Sequence, residues 1–107
     1  MNLTIATIAK QINASFEGDA SLLIDAISID SRSLQNGPHT LFFALIGPNN
    51  DAHSYIIDLI QQGVTHFVVQ YIPEDCVGKA QFLVVQNTLT ALQELASYHR
   101  SLFHFPV

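Results

Sequence analysis

Cysteine and positive charge are both scarce in this chain of 107 residues. The single cysteine, Cys76, excludes an internal disulfide and fits a reducing compartment such as the cytoplasm. Nine acidic residues outnumber the basic ones and give a net charge of −5. The basic residues are four and scattered: Lys10, Arg32, Lys79 and Arg100. Nucleic acids and anionic membrane surfaces are bound by clustered cations, so we expect neither as a partner.

Long apolar runs and glycine-rich loops are also missing. No apolar run reaches the roughly 18 residues that span a bilayer, and the N-terminus carries no signal-peptide pattern. The five glycines are isolated from one another, so the glycine-rich loop that cradles ATP phosphates in many proteins is absent. Cys76 follows Glu74 and Asp75, whose carboxylates disfavour the reactive thiolate, so we expect no nucleophilic cysteine.

A hydrophobic content of 49% with only 12% charged residues predicts one folded domain with a single core. Hydrophobic periodicity predicts helices at 4–12, 54–62 and 87–102, and strands at 22–30, 41–46, 66–71 and 82–85. Strands and helices alternate in the second half, so the predicted fold class is α/β, with a small mixed β-sheet flanked by helices. The continuous apolar run at 41–46 predicts a central strand that is covered on both faces.

The predicted helices carry cap signals and apolar faces. Thr4 and Ser54 are candidate N-caps, and Gly63 stands where a C-cap glycine belongs. The inner face of the second helix is predicted at Ile56, Ile57 and Ile60, and that of the last helix at Leu89, Leu92, Leu95, Ala96 and His99. The apolar residues 103–107 predict the start of another strand, from which we expect the chain to be part of a longer protein.

The segment 28–53 is the most informative part of the chain. An alternating strand leads into Asp30-Ser31-Arg32, and the central strand leads into the loop Gly47-Pro48-Asn49-Asn50-Asp51. Between the two strands, Gln35-Asn36-Gly37-Pro38 is a turn signal. Ligands of α/β domains are bound by loops at strand ends, so we expect a binding site where these two polar segments meet.

In combination and order, these segments resemble the N-terminal domain of the Mur ligases, the ATP-dependent ligases of bacterial cell-wall precursors. The resemblance is carried by Asp30-Ser31-Arg32, Leu41-Phe42-Phe43-Ala44-Leu45, Asn50-Asp51-Ala52-His53, Gly63-Val64 before Phe67-Val68-Val69, Ala91-Leu92-Gln93-Glu94-Leu95-Ala96 and Phe105-Pro106-Val107. Asp-Ala-His after the loop looks most like the branch that adds D-alanyl-D-alanine, including a form fused to an alanine racemase. The branch that adds the third stem-peptide residue is the close alternative.

The resemblance implies a single domain, 1–107, that binds the UDP end of a UDP-N-acetylmuramoyl-peptide and precedes an ATP-binding domain. Ile29 and Ser31 would pack against and hydrogen-bond the uridine, and Pro48, Asn49 and Asn50 would touch the nucleotide. Arg32 and Asp51 are possible further contacts. The resemblance implies no catalytic residue and no cofactor in this domain. It implies ATP and Mg²⁺ for the full-length cytoplasmic enzyme, beyond residue 107.

Every candidate residue also has a structural interpretation. The Ser31 hydroxyl could satisfy the backbone at a strand end, and Asn49 and Asn50 could be ordinary turn residues. Asp30 and Arg32 point to the same face of a strand, which favours a local ion pair or a backbone clamp over a catalytic pair.

The pair Asp51 and His53 suggests a metal or acid–base site, but the other histidines are dispersed, and a metal needs three or four convergent ligands. We favour Asp51 or Ser54 as an acceptor at a helix start, with His53 packed nearby. Two other functions stay open: an α/β interaction module whose apolar C-terminus docks a partner, and a hydrolase using Asp51, His53 and Ser54. The hydrolase is disfavoured because Ser54 lacks a glycine-flanked elbow.

Overall fold

A computed structural model of the chain describes residues 3–16, 18, 20–32, 37 and 39–98. The helices and strands, in chain order, are β1 (Leu3–Thr4), α1 (Ile5–Gln11), β2 (Leu23–Ile24), β3 (Ala26–Ser28), β4 (Thr40–Phe43), α2 (Ile56–Gln62), β5 (His66–Val69), β6 (Gln81–Val84) and α3 (Thr88–Tyr98). Two 3-10 turns, Ala52–Tyr55 and Glu74–Cys76, precede α2 and β6. No helix in the described part of the chain is long and apolar enough to cross a membrane.

The main sheet has four strands in the order β3-β4-β5-β6, and all of its strand pairs are parallel. β4 is an inner strand, as predicted for 41–46. The predicted α/β class with flanking helices is confirmed, but the main sheet is parallel throughout and not mixed as predicted. Antiparallel pairing occurs in the separate β1–β2 ribbon and in an isolated bridge between Ser15 and Val84 at the edge strand β6.

Both faces of the sheet are covered, which accounts for the uninterrupted apolar run in β4. Side chains alternate along a strand, so Leu41 and Phe43 face the layer of α1 and α3, whereas Phe42 faces α2. Phe67 of β5 packs between Phe42 and Phe82, with ring centroids 6.1 and 5.7 Å away. The molecule therefore has three layers, with a hydrophobic cluster on each side of the sheet.

The cap signals are largely confirmed. The Thr4 side chain accepts a hydrogen bond from the Thr7 N–H at 3.2 Å and starts α1. Gly63 ends α2 with φ of 106°, a left-handed conformation that glycine adopts without steric cost. Ser54 does not cap a helix, because Asp51 starts the 3-10 turn instead and the Ser54 hydroxyl donates to the Asp51 carbonyl at 2.9 Å.

The strand predicted at 22–30 is wrong in one respect, since the structure divides it at Asp25. β2 pairs with β1 and β3 pairs with β4, so the chain changes sheets at this residue, whose N–H donates to the His39 carbonyl at 3.1 Å. Periodicity alone does not reveal that two halves of an apolar stretch have different partners.

The predicted inner faces of α2 and α3 need two corrections. Leu89 is 51% exposed, because Thr88 takes the inward position of the first turn and Ala91, Leu92 and Leu95 continue that face. In α2, Ile56 and Leu59 are buried, and the predicted Ile57 and Ile60 are only partly buried at the margin of the cluster. The end of the last predicted helix, His99, the strand at 103–107 and most of the predicted turn at 35–38 lie outside the described residues.

Cys76 is buried under α2 in the cluster on that face of the sheet. Burial, together with the neighbouring Asp75 carboxylate, raises the pKa of the Cys76 thiol. The predicted absence of a reactive thiolate at this position is therefore supported by the structure.

Candidate binding site at the carboxyl edge of the sheet

The carboxyl ends of the parallel strands meet at one edge of the sheet. The residues that follow β3 and β4 at this edge include all the site residues predicted from sequence, and β3 and β4 are adjacent strands with Ser28 opposite Phe42. Segment 29–32 therefore leaves the sheet beside segment 44–51. The two polar segments predicted from sequence thus follow paired strands at the same edge of the sheet.

After β3, the chain forms a short turn that is held by its own polar groups. An Asp30 carboxylate oxygen accepts the Arg32 backbone N–H at 2.9 Å and lies 3.5 Å from the Arg32 Nε. The Arg32 backbone N–H, followed by its side chain, lowers the pKa of Asp30 against a smaller opposing effect of desolvation. The predicted clamp between Asp30 and Arg32 is confirmed, and the Arg32 side chain remains 90% exposed.

Ile29 precedes this clamp, and Ser31 lies between its two residues. Ile29 is half-buried and packs against the cluster under α1 and α3, and Ser31 is half-buried in the turn. The hydroxyl that hydrogen-bonds the backbone at this strand end belongs to Ser28, which contacts both the N–H and the carbonyl of Asp30 at 3.3 and 3.2 Å. Ser28 was not predicted to have this role, because periodicity indicated only that it belongs to a strand.

After β4, the chain forms a tight exposed loop that carries Pro48, Asn49 and Asn50. The Gly47 N–H donates to the Asn50 carbonyl at 2.7 Å, and an antiparallel bridge joins Ile46 to Asp51 below it. The Tyr55 hydroxyl donates to the Asn50 Oδ1 at 3.0 Å, so the amide of Asn50 is oriented by the turn that follows.

Asp51 connects this loop to the rest of the site. Its Oδ1 accepts the His53 backbone N–H at 2.9 Å and lies 2.7 Å from the His53 Nδ1, and its Oδ2 accepts the Tyr71 hydroxyl at 2.7 Å. Partial burial on its own would raise the pKa of Asp51, but the hydrogen bonds from Tyr71 and His53 together outweigh it and lower that pKa. Asp51 is thus the predicted acceptor at the helix start.

His53 is the predicted packed residue, with its side chain entirely buried. Its Nε2 accepts the Gln70 N–H at 3.0 Å, and its ring stacks on Tyr71 with centroids 4.2 Å apart. Both ring nitrogens are therefore engaged within the protein, and Ser54 is hydrogen-bonded to a carbonyl rather than to this ring. This arrangement does not fit the hydrolase interpretation, and the described residues include no group of three side chains that could hold a metal ion.

Gln70 and Tyr71, which were not predicted as site residues, follow β5 at the same edge. Their position was a usable signal, because polar residues at strand ends often form binding sites and Gln70 directly follows the buried Val69. Both residues also line an open cleft of about 870 Å³ between the β5 and β6 ends, with Asn13, Asn87, Thr90 and Glu94. None of the residues predicted from sequence lines this cleft.

The chain is similar in sequence to known ligases. The chain is 34% identical over 100 residues to the UDP-N-acetylmuramoyl-tripeptide--D-alanyl-D-alanine ligase of Haemophilus influenzae. The alignment covers 94% of this chain and 21% of that relative. The chain is also 34% identical over 80 residues to the UDP-N-acetylmuramoyl-L-alanyl-D-glutamate--2,6-diaminopimelate ligase of Bacteroides thetaiotaomicron, covering 75% of this chain and 16% of that relative. No family model matches the chain.

The same arrangement of elements occurs in a solved structure. The crystal structure of MurF from Acinetobacter baumannii matches with a TM-score of 0.80 at 23% identity, over 94% of this chain and 21% of that one. The shared fold is an α/β domain with helices on both faces of a parallel sheet. With the sequence relatives, the chain belongs to the Mur ligases and corresponds to their N-terminal part, spanning about a fifth of their length.

Proposed function

We propose that this chain is the substrate-recognition domain of a cytoplasmic ligase that adds D-alanyl-D-alanine, and that it binds the UDP end of a UDP-N-acetylmuramoyl-peptide. One observation carries the proposal: β3 and β4 are adjacent and parallel, so the turn with Ile29 and Ser31 emerges beside the loop 47–50. The relatives' names, which specify a UDP-N-acetylmuramoyl-tripeptide, supply the ligand.

The side chains at this edge suit a uridine. Nucleotide pockets combine apolar surface with a few placed polar groups. Ile29 offers partly exposed apolar surface, and the Ser31 hydroxyl can donate or accept. Asn50 has its Oδ1 bonded to Tyr55, so the two N–H groups of its amide are what it offers to a uracil or ribose oxygen. Pro48 and Asn49 complete the exposed loop.

The charged residues Arg32 and Asp51 have different proposed roles. Arg32 is the cation of this edge, and its mostly exposed guanidinium could approach a phosphate. Asp51 has both carboxylate oxygens hydrogen-bonded within the protein, so we propose that it supports the loop instead of contacting the ligand. The negative charge of the Asp51 carboxylate would also repel the anionic diphosphate.

We propose that this chain does not bind ATP and Mg²⁺. The sequence has no glycine-rich phosphate loop, and no group of three potential metal ligands occurs among the described residues. We therefore propose that a following domain binds both and performs the chemistry, and that this chain on its own is inactive. Binding energy from the remote UDP would position the peptide carboxylate for that reaction.

Binding of UDP-N-acetylmuramoyl-tripeptide by the chain, followed by calorimetry and amide chemical-shift mapping, tests the proposal. We expect shifts at 29–32 and 47–51 and a weaker affinity for Ser31→Ala and Asn50→Ala. The control is Ser97→Ala, which removes the same hydroxyl from an exposed position of α3. Shifts confined to other parts of the sheet, or Ser31→Ala and Asn50→Ala variants that bind like the control, would contradict the proposed site.

The ligase that adds the third stem residue is a second candidate for the whole protein. It is favoured by the Bacteroides thetaiotaomicron relative, whose identity of 34% equals that of the Haemophilus influenzae relative over a shorter alignment. Reading the parent gene beyond residue 107 would also separate both ligases from the interaction-module hypothesis, which predicts no glycine-rich ATP loop downstream.

A further inference from the structure

We infer that Tyr71 and His53 are positioning residues, which hold the loop 47–50 in its binding conformation through Asp51. The inference rests on the proposed function for the identity of the ligand, but the arrangement that carries it is visible without a ligand. Neither residue belongs to the two segments predicted to touch the nucleotide. They act from the end of β5 and from the turn before α2.

The loop is closed at its base and exposed at its tip. The Ala52 N–H donates to the Leu45 carbonyl at 2.9 Å, and the Gly47 N–H donates to the Asn50 carbonyl at 2.7 Å. These bonds fix the internal shape of the loop. They do not fix its direction relative to the neighbouring strands, because both partners of each bond lie in the same segment.

Asp51 attaches the loop to a different strand, whereas the Tyr55–Asn50 bond reaches only the turn that follows the loop. One carboxylate oxygen is bound by His53 and the other by Tyr71, at 2.7 Å in each case. Tyr71 lies 20 positions further along the chain, directly after Gln70, so its hydroxyl ties the loop to the end of a different strand. Two hydrogen bonds to separate oxygens also fix the rotation of the carboxylate.

His53 links Asp51 to the backbone at the end of β5. Its Nε2 accepts the Gln70 N–H, so the ring proton lies on Nδ1 and is donated to Asp51. The imidazole is buried and stacks on the Tyr71 ring at an interplanar angle of 10°. His53 and Tyr71 thus form a stacked pair, and Asp51 is the residue through which this pair contacts the loop.

Tyr71→Phe is the variant that tests the inference with least damage. It keeps the ring that stacks on His53 and removes only the hydroxyl that binds Asp51. We expect the affinity for UDP-N-acetylmuramoyl-tripeptide to fall about threefold, the effect of losing one hydrogen bond. The control is Tyr98→Phe, which removes the same atom from a tyrosine on α3 and should bind like the parent. A Tyr71→Phe protein that binds like this control would overturn the inference.

A double-mutant cycle separates positioning from general stability. In an Asn50→Ala background, the loop has lost a proposed contact, so the further loss from Tyr71→Phe should be clearly smaller than in the parent. A general stability effect would lower affinity equally in both backgrounds. Additive losses would therefore overturn the inference, and non-additive losses would support it.

Amide hydrogen exchange tests the inference without any ligand. The Gly47 amide reports directly on loop closure, because its bond to the Asn50 carbonyl must open before exchange. We expect faster exchange at Gly47 in Tyr71→Phe than in Tyr98→Phe, with unchanged exchange at Phe42 and Phe67 in the sheet. Unchanged exchange at Gly47 would overturn the inference. If the parent protein binds no UDP ligand, the proposed function fails, and this measurement still decides whether the loop is positioned in this way.

Discussion

The Nε2 of His53 accepts a hydrogen bond from the backbone N–H of Gln70 at 3.0 Å. This bond joins the turn after β4 to the end of β5, and it explains why a histidine stands in a buried position. The ring accepts the Gln70 N–H at Nε2 and contacts the Asp51 carboxylate through Nδ1, so both of its nitrogens are hydrogen-bonded although the side chain is buried. Asp51 and His53, two residues apart in sequence, therefore form a structural crosslink and not an acid–base pair.

Asp51 should make the folding stability of the protein decrease more steeply at acidic pH. Because hydrogen bonds from Tyr71 and His53 lower its pKa below the unfolded value of about 3.9, its stabilising contribution is complete above that value and is lost as pH falls through the folded-state pKa. Urea unfolding at several pH values below 6 measures this loss. In Asp51→Asn, we expect lower stability at neutral pH and a weaker decrease on acidification. Parallel curves for the two proteins would contradict the assignment.

Tyr71 should ionise at higher pH than an ordinary tyrosine. Its hydroxyl donates to the Asp51 carboxylate, which raises the pKa of Tyr71 above the usual 10.0, with a smaller contribution from burial. The stabilisation is complete below the unfolded pKa and is lost as pH rises through the folded-state pKa. The difference in ultraviolet absorbance between the parent and Tyr71→Phe isolates this titration. Asp51→Asn should move the titration towards the ordinary value, and a titration unaffected by Asp51→Asn would argue against the pairing.

Two leucines of α3 form a matched pair for testing the core. Leu95 is fully buried and Leu89 is 51% exposed, although both lie on the face that periodicity predicts to be apolar. Leu95→Ala should lower the free energy of unfolding by about 2–5 kcal/mol, from lost burial and the cavity left behind. Leu89→Ala should change it by less than about 0.5 kcal/mol. Chemical denaturation of both variants measures the contrast, and equal losses would mean that α3 packs with a different face.

The chain should not distinguish ligands that differ only in the stem peptide. The proposed contacts lie at the uridine end, so UDP-N-acetylmuramoyl-dipeptide and -tripeptide should bind within about twofold of each other, a difference of less than 1 kcal/mol. Calorimetry with both ligands and with UDP alone measures this, and Ser31→Ala should weaken all three. A strong preference for the tripeptide would show that this domain also contacts the peptide, and the proposed site would then be incomplete.

Local pattern predicted the elements well because each depends on neighbours in sequence. Thr4 and Gly63 are caps that act within one helical turn, and the apolar run of β4 follows from having helices on both sides. The clamp between Asp30 and Arg32 was predictable for the same reason, since its partners are two residues apart. The exposure of Leu89 was not predicted, since the residue that faces inward in the first turn of α3 is Thr88, which bonds to Gln70 after β5.

The sequence alone determined the α/β class, the two strand ends that carry Ser31 and Asn50, and the resemblance that links them to a nucleotide ligand. Only the tertiary structure decided that Tyr71 and Gln70 support the loop through Asp51 and His53, and that the strand predicted at 22–30 divides between two sheets. The reason is physical. Backbone propensity and side-chain alternation are properties of short segments, whereas a contact between residues 17 or 20 positions apart exists only once the strands have paired.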